Sequence, residues 1–133
     1  MPTTPPSPAG PLAGVRVIEL GQLIAGPFCG KTLGDFGAEV IKIEPPGKGD
    51  PLRKWRLLKD GTSVWWQVQS RNKRSVALDL REPDARAIVR RLIDEADVLV
   101  ENFKPGTMEA WGFAHEALIQ TNPGLVMCRI SGY

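Results

Sequence analysis

Residues able to do chemistry concentrate where the chain turns, and the first candidate is a phosphate loop. Ala25-Gly26-Pro27-Phe28-Cys29-Gly30-Lys31-Thr32 ends in Gly-Lys-Thr, with Ala in place of the first glycine of a P-loop. Such a loop aims successive backbone N–H groups at phosphate oxygens. Pro27 has no N–H and Phe28 is bulky where the backbone must approach the ligand, so Lys31 is not read as a P-loop lysine. Nor does any later strand end in the Asp that would help hold magnesium. Glu44 closes a second apolar run, where a ribose-binding acid sits in dinucleotide folds. The turn before that run, Gly21 to Gly26, lacks G-x-G-x-x-G, and Glu44 is read as a solvated strand end. Arg71-Asn72-Lys73-Arg74 is a compact basic run beside Trp65-Trp66, open either to phosphate contact or to a solvated loop role. His115 is the only histidine and has no acid or nucleophile at triad spacing, which makes it structural. Cys29 and Cys128 lack paired metal-ligand spacing; they read as two buried free thiols in a reducing compartment, and no metal site is expected.

The elements that must position these residues follow from periodicity. Val15 to Leu20 is β-branched and alternating, hence a strand. Gly26-Pro27 launches a helix over about Phe28–Phe36, closed by Gly37. Val40 to Ile43 is a second strand, halted by Pro45-Pro46-Gly47. Asp60-Gly61 marks a turn, and the adjacent Trp65 and Trp66 cannot share one face of a strand. Ser75 to Leu80 is a third strand. Pro83 opens a helix whose apolar positions are Ala85, Ile88, Val89, Leu92, Ile93 and Ala96. Val98-Leu99-Val100, short helices over Thr107–Trp111 and Glu116–Gln120, and a strand from Leu125 to Ile130 complete the pattern. Repeated strand-helix-strand units predict an α/β domain: a Rossmann-like, open, mostly parallel sheet with helices on both faces. Ligands of such sheets gather beyond the carboxyl ends of strands. Those ends are Gly21 to Pro27, Pro45 to Asp50, Leu80-Arg81, Asn102 to Lys104 and Ser131 to Tyr133.

Length and composition limit what this domain can be. At 133 residues the chain holds one core, which places the domain at residues 12–133 behind a flexible tail, residues 1–11. A net charge of +2 is too small to argue for nucleic acid, so the local Arg and Lys clusters fit a phosphate-bearing small molecule better. The apolar runs are too short for a membrane span and the opening Met1–Pro11 does not resemble a signal peptide, which points to a soluble, cytoplasmic protein.

Several stretches, taken in order, closely resemble one family. They are Leu20 to Pro27, Leu33 to Glu44, Gly49-Asp50-Pro51, Arg71 to Ser75, Val100 to Phe103 with Pro105-Gly106, and Ile130 to Tyr133. Together they resemble the N-terminal signature of the class III CoA-transferases, the formyl-CoA and carnitine-CoA transferase type, to which the α-methylacyl-CoA racemases are related. The resemblance implies a Rossmann-like large domain, an interlocked dimer, and coenzyme A as the acyl-CoA substrate with a small carboxylic acid as its partner. By position, Gln22, Leu23, Ile24 and Ala25 would face the pantetheine or its neighbouring groups. Leu78, Asp79 and Arg81, with Asn102, Phe103 and Lys104, would lie near the adenosine end. Arg81 and Lys104 can face phosphates, and Asn102 can both donate and accept.

The same resemblance implies departures. Ala110 stands where many members carry an arginine that helps bind CoA. The nucleophilic aspartate, which would form an acyl-aspartyl anhydride and then an enzyme-CoA thioester, would lie beyond Tyr133. No catalytic residue is therefore assigned within the chain, and the chain alone is expected to be inactive. Asp79, Asp94 and Asp97 read as strand, helix and turn residues rather than replacements. Asn72 and Asn102 resemble the transferase branch rather than the racemases. Three other readings are a segment of an α-methylacyl-CoA racemase-type enzyme, a non-catalytic CoA-binding or assembly module paired with a separate C-terminal half, and, more remotely, a P-loop protein that binds nucleoside triphosphate.

Overall fold

In the computed structural model, which describes residues 10–132, the chain forms a five-stranded sheet, a small hairpin and the helices that cover them. The elements are β1 (Arg16–Glu19), α1 (Ala25–Asp35), β2 (Glu39–Glu44), a 3-10 turn (Pro51–Lys54), β3 (Leu58–Lys59), β4 (Thr62–Ser63) and α2 (Val64–Gln69). They continue with β5 (Lys73–Ala77), α3 (Pro83–Asp94), β6 (Val98–Glu101), α4 (Thr107–Ala110), α5 (His115–Leu118) and β7 (Val126–Arg129). The sheet runs β5-β2-β1-β6-β7 with every pairing parallel. Strand order therefore reverses between β1 and β6, the switch point of a doubly wound fold.

Side-chain alternation divides the core between the two faces. Val17, Val40 and Val100 point to the face covered by α1, where Cys29 and Leu33 meet them. Ile18, Leu20, Ile43 and Leu99 point to the other, covered by Val89 and Ile93 of α3, Met108 of α4 and Leu118 of α5. The predicted fold class, with helices on both faces, is what the structure has. In α3, Ala85, Val89 and Ile93 are buried, but Ile88 is 46% exposed. It lies about a quarter turn off the centre of the apolar stripe formed by those three residues.

Other boundaries move for physical reasons. α1 begins at Ala25, so Pro27 is its third residue; the first four N–H groups of a helix lack intrahelical partners, and proline costs nothing there. β5 begins at Lys73 and ends at Ala77, which puts Asp79 in a loop rather than in a strand. The Trp65-Trp66 pair lies on the short helix α2, capped by Ser63, with Trp66 inward and Trp65 outward. The β3–β4 hairpin before it was not anticipated. Most of the proposed tail lies outside the described residues, but Gly10 is seated so tightly on Phe36 and Gly37 that an added Cβ would fall 2.3 Å from the Phe36 carbonyl oxygen. Cys29 and Cys128 are free thiols, as expected, but half-buried rather than buried, and they face one another on the α1 side of the sheet. Burial first, and the neighbouring Cys128 second, push the Cys29 thiol up to about 11.

Candidate functional site

The carboxyl ends of β1, β2, β5 and β6 converge on a cleft of about 470 Å³. Its walls include Leu20, Gln22, Pro45, Pro46, Lys48, Leu78, Asp79, Arg81, Phe103 and Trp111. An adjoining hollow of about 350 Å³ is lined by Ala25, Asn102, Phe103, Lys104 and residues 130–132, and Phe103 belongs to both. A larger cleft, about 670 Å³, opens at the opposite ends of the strands among Arg16, Asp35, Glu39, Asn72 and Arg74. Its arginines and carboxylates pair with each other, Arg16 with Glu39 at 3.0 Å and Arg74 with Glu39 at 3.1 Å, which leaves little to recruit a charged ligand.

The residues of the switch point are held from two sides. Asn102 accepts from the Gln22 amide at 2.7 Å and donates to the Gln22 carbonyl at 2.9 Å, fixing one residue of the loop through both its backbone polar groups. Leu23 is left-handed, φ +61, a conformation that costs a branched side chain about 1–2 kcal/mol. Its amide is received by Asp50 Oδ1 at 3.0 Å. Leu23 and Ile24 are both partly exposed, and Ala25 opens α1 with no acidic residue in the first turn and no side-chain cap. Gly21 and Gly26 lie back to back; a Cβ on either would fall 2.6 Å from the other's Cα.

Across the cleft, Phe103 packs edge-to-face on Trp111 at 5.1 Å, forming an apolar wall. Asp79 grips Arg81 in a bidentate pair, 2.9 and 2.6 Å, on the open surface. The Arg81 guanidinium holds the Asp79 carboxyl down to about 2. Lys104 is exposed beside the second hollow, and Lys48 lines the first. Neither lysine has an ion-pair partner among the described residues. Thus Gln22, Leu78, Asp79, Arg81 and Phe103 share the first cleft, and Ala25, Asn102 and Lys104 share the second with Phe103. Leu23 and Ile24 lie on the loop between β1 and α1 but line neither space.

Glu44 is the clearest correction. It is 2% exposed, not a solvated end, and receives a fork from Arg53, 2.8 Å to each oxygen, besides Ser75 and the Asp50 amide. Burial works against its charge, but these partners win and hold it down to about 2. The basic run is taken up locally. Arg71 pairs with Asp35 at 2.8 Å and Arg74 joins Glu39, both away from the switch point, whereas Lys73 is drawn under the start of α1 to Glu19. Lys31 is helical and pairs with Asp35 at 3.1 Å, so no phosphate loop exists there. His115 opens α5 away from both spaces. Sequence reasoning missed Lys48 and Trp111; the Pro-Pro-Gly-Lys break after β2 was the available signal for the lysine. Among the described residues no cluster of His, Cys, Asp and Glu could hold a metal, and no helix is long and apolar enough to cross a membrane.

The switch-point loop of this doubly wound sheet lies beside two lysines without ion-pair partners among the described residues and an aromatic wall, at the end of the sheet where such folds bind ligands. Comparison with known proteins makes this specific: residues 12–133 match the model of CoA-transferase family III, and the chain belongs to that family. It is 56% identical over 127 residues to succinyl-CoA–D-citramalate CoA-transferase of Chloroflexus aurantiacus, covering 95% of this chain and 32% of that protein. It is 46% identical to the alpha subunit of succinyl-CoA–L-malate CoA-transferase of Chloroflexus aurantiacus, covering 92% and 29%. The crystal structure of a CAIB/BAIF family protein from Brucella suis superposes with a TM-score of 0.85 at 42% identity, over 93% of this chain and 34% of that one. The chain thus spans about a third of the length of the relatives it matches.

Proposed function

We propose that this chain forms the coenzyme A-binding part of an enzyme that moves CoA from an acyl-CoA to a free carboxylic acid. The observation that carries the reading is the convergence of Gln22, Leu78, Asp79, Arg81 and Phe103 on one cleft at the switch point, in a chain of this family. Phe103 and Trp111 offer the apolar surface an adenine needs, and Lys48 and Lys104 offer charge for phosphates. Arg81 reaches a phosphate only by exchanging it for Asp79. The Gln22–Ala25 loop and the uncapped start of α1 lie where the thioester end would pass, favouring an anionic acceptor. Both named transferases act on succinyl-CoA, so the donor we favour is the CoA thioester of a dicarboxylic acid, with a hydroxy dicarboxylic acid as acceptor. The nucleophilic aspartate belongs to sequence after Tyr133, and the working enzyme is an interlocked dimer in the cytoplasm.

Calorimetric titration with CoA, with magnesium-ATP in parallel, tests the reading. CoA binding that weakens in Lys104→Ala and Arg81→Ala, with no comparable ATP binding, is the expected result. ATP binding without CoA binding would overturn it. Transferase turnover should be absent from these 133 residues and appear when a relative's downstream segment is joined to them. Turnover by the short chain would refute this placement of the nucleophile.

A further inference from the structure

Beneath the switch-point loop lies a buried ionic cluster that the proposed chemistry does not use. Lys42 and Glu19 are 1% and 0% exposed, and Asp50 and Lys73 are comparably enclosed. Lys42 Nζ pairs with Glu19 Oε1 and with Asp50 Oδ2, each at 2.8 Å, and Lys73 Nζ pairs with Glu19 Oε2 at 2.7 Å. Two cations and two anions balance where side-chain exposure is 3% or less. Lys42 and Asp50 also bond the backbone of the loop above, and Lys73 the first turn of α1 that follows it. Lys42 donates to the Gly21 carbonyl at 2.7 Å, Asp50 accepts from the Leu23 amide at 3.0 Å, and Lys73 donates to the Pro27 carbonyl at 2.7 Å. The loop is therefore held at its start and its middle, and the helix it leads into is held in its first turn. Asp50 Oδ1 also accepts from Leu52 at 2.8 Å, tying the loop after β2 to the loop after β1. A pair kept only for stability could be replaced by well-packed apolar side chains at little cost, whereas charges that also hold a strained loop cannot.

We propose that Lys42, Asp50 and Lys73, neutralised through Glu19, are positioning residues: they hold Leu23 left-handed and so aim the Gln22–Ala25 loop at the ligand. The proposal rests on the coenzyme A reading for the identity of that ligand, but not for the clamp itself. Asp50 is its centre because it alone faces both the strained residue and the neighbouring loop. Asparagine at this position keeps an oxygen for the Leu23 and Leu52 amides but gives up the ion pair with Lys42, leaving the cluster one positive charge in excess. Alanine gives up both.

Amide hydrogen exchange by NMR and CoA titration, run on the 133-residue chain and its Asp50→Ala and Asp50→Asn variants, separate the possibilities. In folded Asp50→Ala the Leu23 amide should exchange at least tenfold faster while the amides of Val17 and Ile18 stay protected, and CoA affinity should fall about tenfold. Asp50→Asn should recover most of both losses. Unchanged Leu23 protection in Asp50→Ala overturns the clamp whether or not CoA binds. Failure of the unmutated chain to bind CoA counts against the functional reading alone. If Asp50→Ala does not fold, Lys73→Met, which frees the Pro27 carbonyl and gives up the pair with Glu19, should show the same pattern. Uniform loss of protection in both variants would make the cluster a stability element and overturn the positioning role.

Discussion

Residues in this site do their work by pairing, and the pairing decides which of them a ligand can use. Lys104 and Arg81 looked equivalent as phosphate-facing cations, yet only Lys104 has its charge free. Removing it should weaken CoA binding roughly tenfold, the value of one charge-assisted hydrogen bond, without lowering the midpoint of thermal unfolding; titration and a melting curve check both. Glu44 is the opposite case, a carboxylate already consumed. Its folded value of about 2 lies below the ordinary 4.5, so its contribution is present above pH 4.5 and is lost as pH falls toward 2. Glu44→Gln should flatten the stability profile across that window, by on the order of 2–3 kcal/mol, as urea unfolding at stepped pH would show. The Cys29 thiol, pushed up to about 11, is almost wholly protonated at pH 8 and should alkylate far more slowly than an unstructured peptide cysteine, which mass spectrometry would time.

Among the elements, α1 determines how the site is built, because glycine recurs every fourth residue along its inner face. Gly26, Gly30 and Gly34 are all buried, and each lets the helix settle onto what lies beneath. Under Gly30 that is the Glu19 carboxylate, 1.9 Å from where a Cβ would stand. Gly30→Ala must therefore either lift the helix or displace the carboxylate from its two lysines. A loss of about 3 kcal/mol is expected, measurable by denaturant unfolding, with exchange at Leu23 rising alongside it. Residue spacing predicts the helix, but its glycines read only as a turn and a failed phosphate loop. What they accommodate is on β1, and periodicity within one element cannot show a partner on another.

At the scale of the molecule, a parallel sheet exposes two edges, β5 and β7. β7 is the more vulnerable: Val126 is 61% exposed, and the α1 face of the sheet beside it is only partly covered. Unpaired strand edges with apolar side chains invite association between chains. The short chain should self-associate with rising concentration, and Val126→Lys should shift light scattering toward the monomer. If scattering is the same in both proteins, the edge is not the route.

The sequence by itself determined the order of the five sheet strands and their main helices, the fold class and the family. Those rest on local patterns: alternation, helical spacing, glycine and proline breaks, and short runs of residues in a set order. It could not tell a solvated acid from a buried one, as Glu44 shows, nor a loop cation from a cluster member, as Lys73 shows. Whether a charge is free depends on what approaches it from elsewhere in the chain, and only the tertiary structure brings Arg53 to Glu44, Lys73 to Glu19 and Asp50 to Leu23. A buried charge is tolerable only with such a partner, so the burial and the partner were decided together, by the fold.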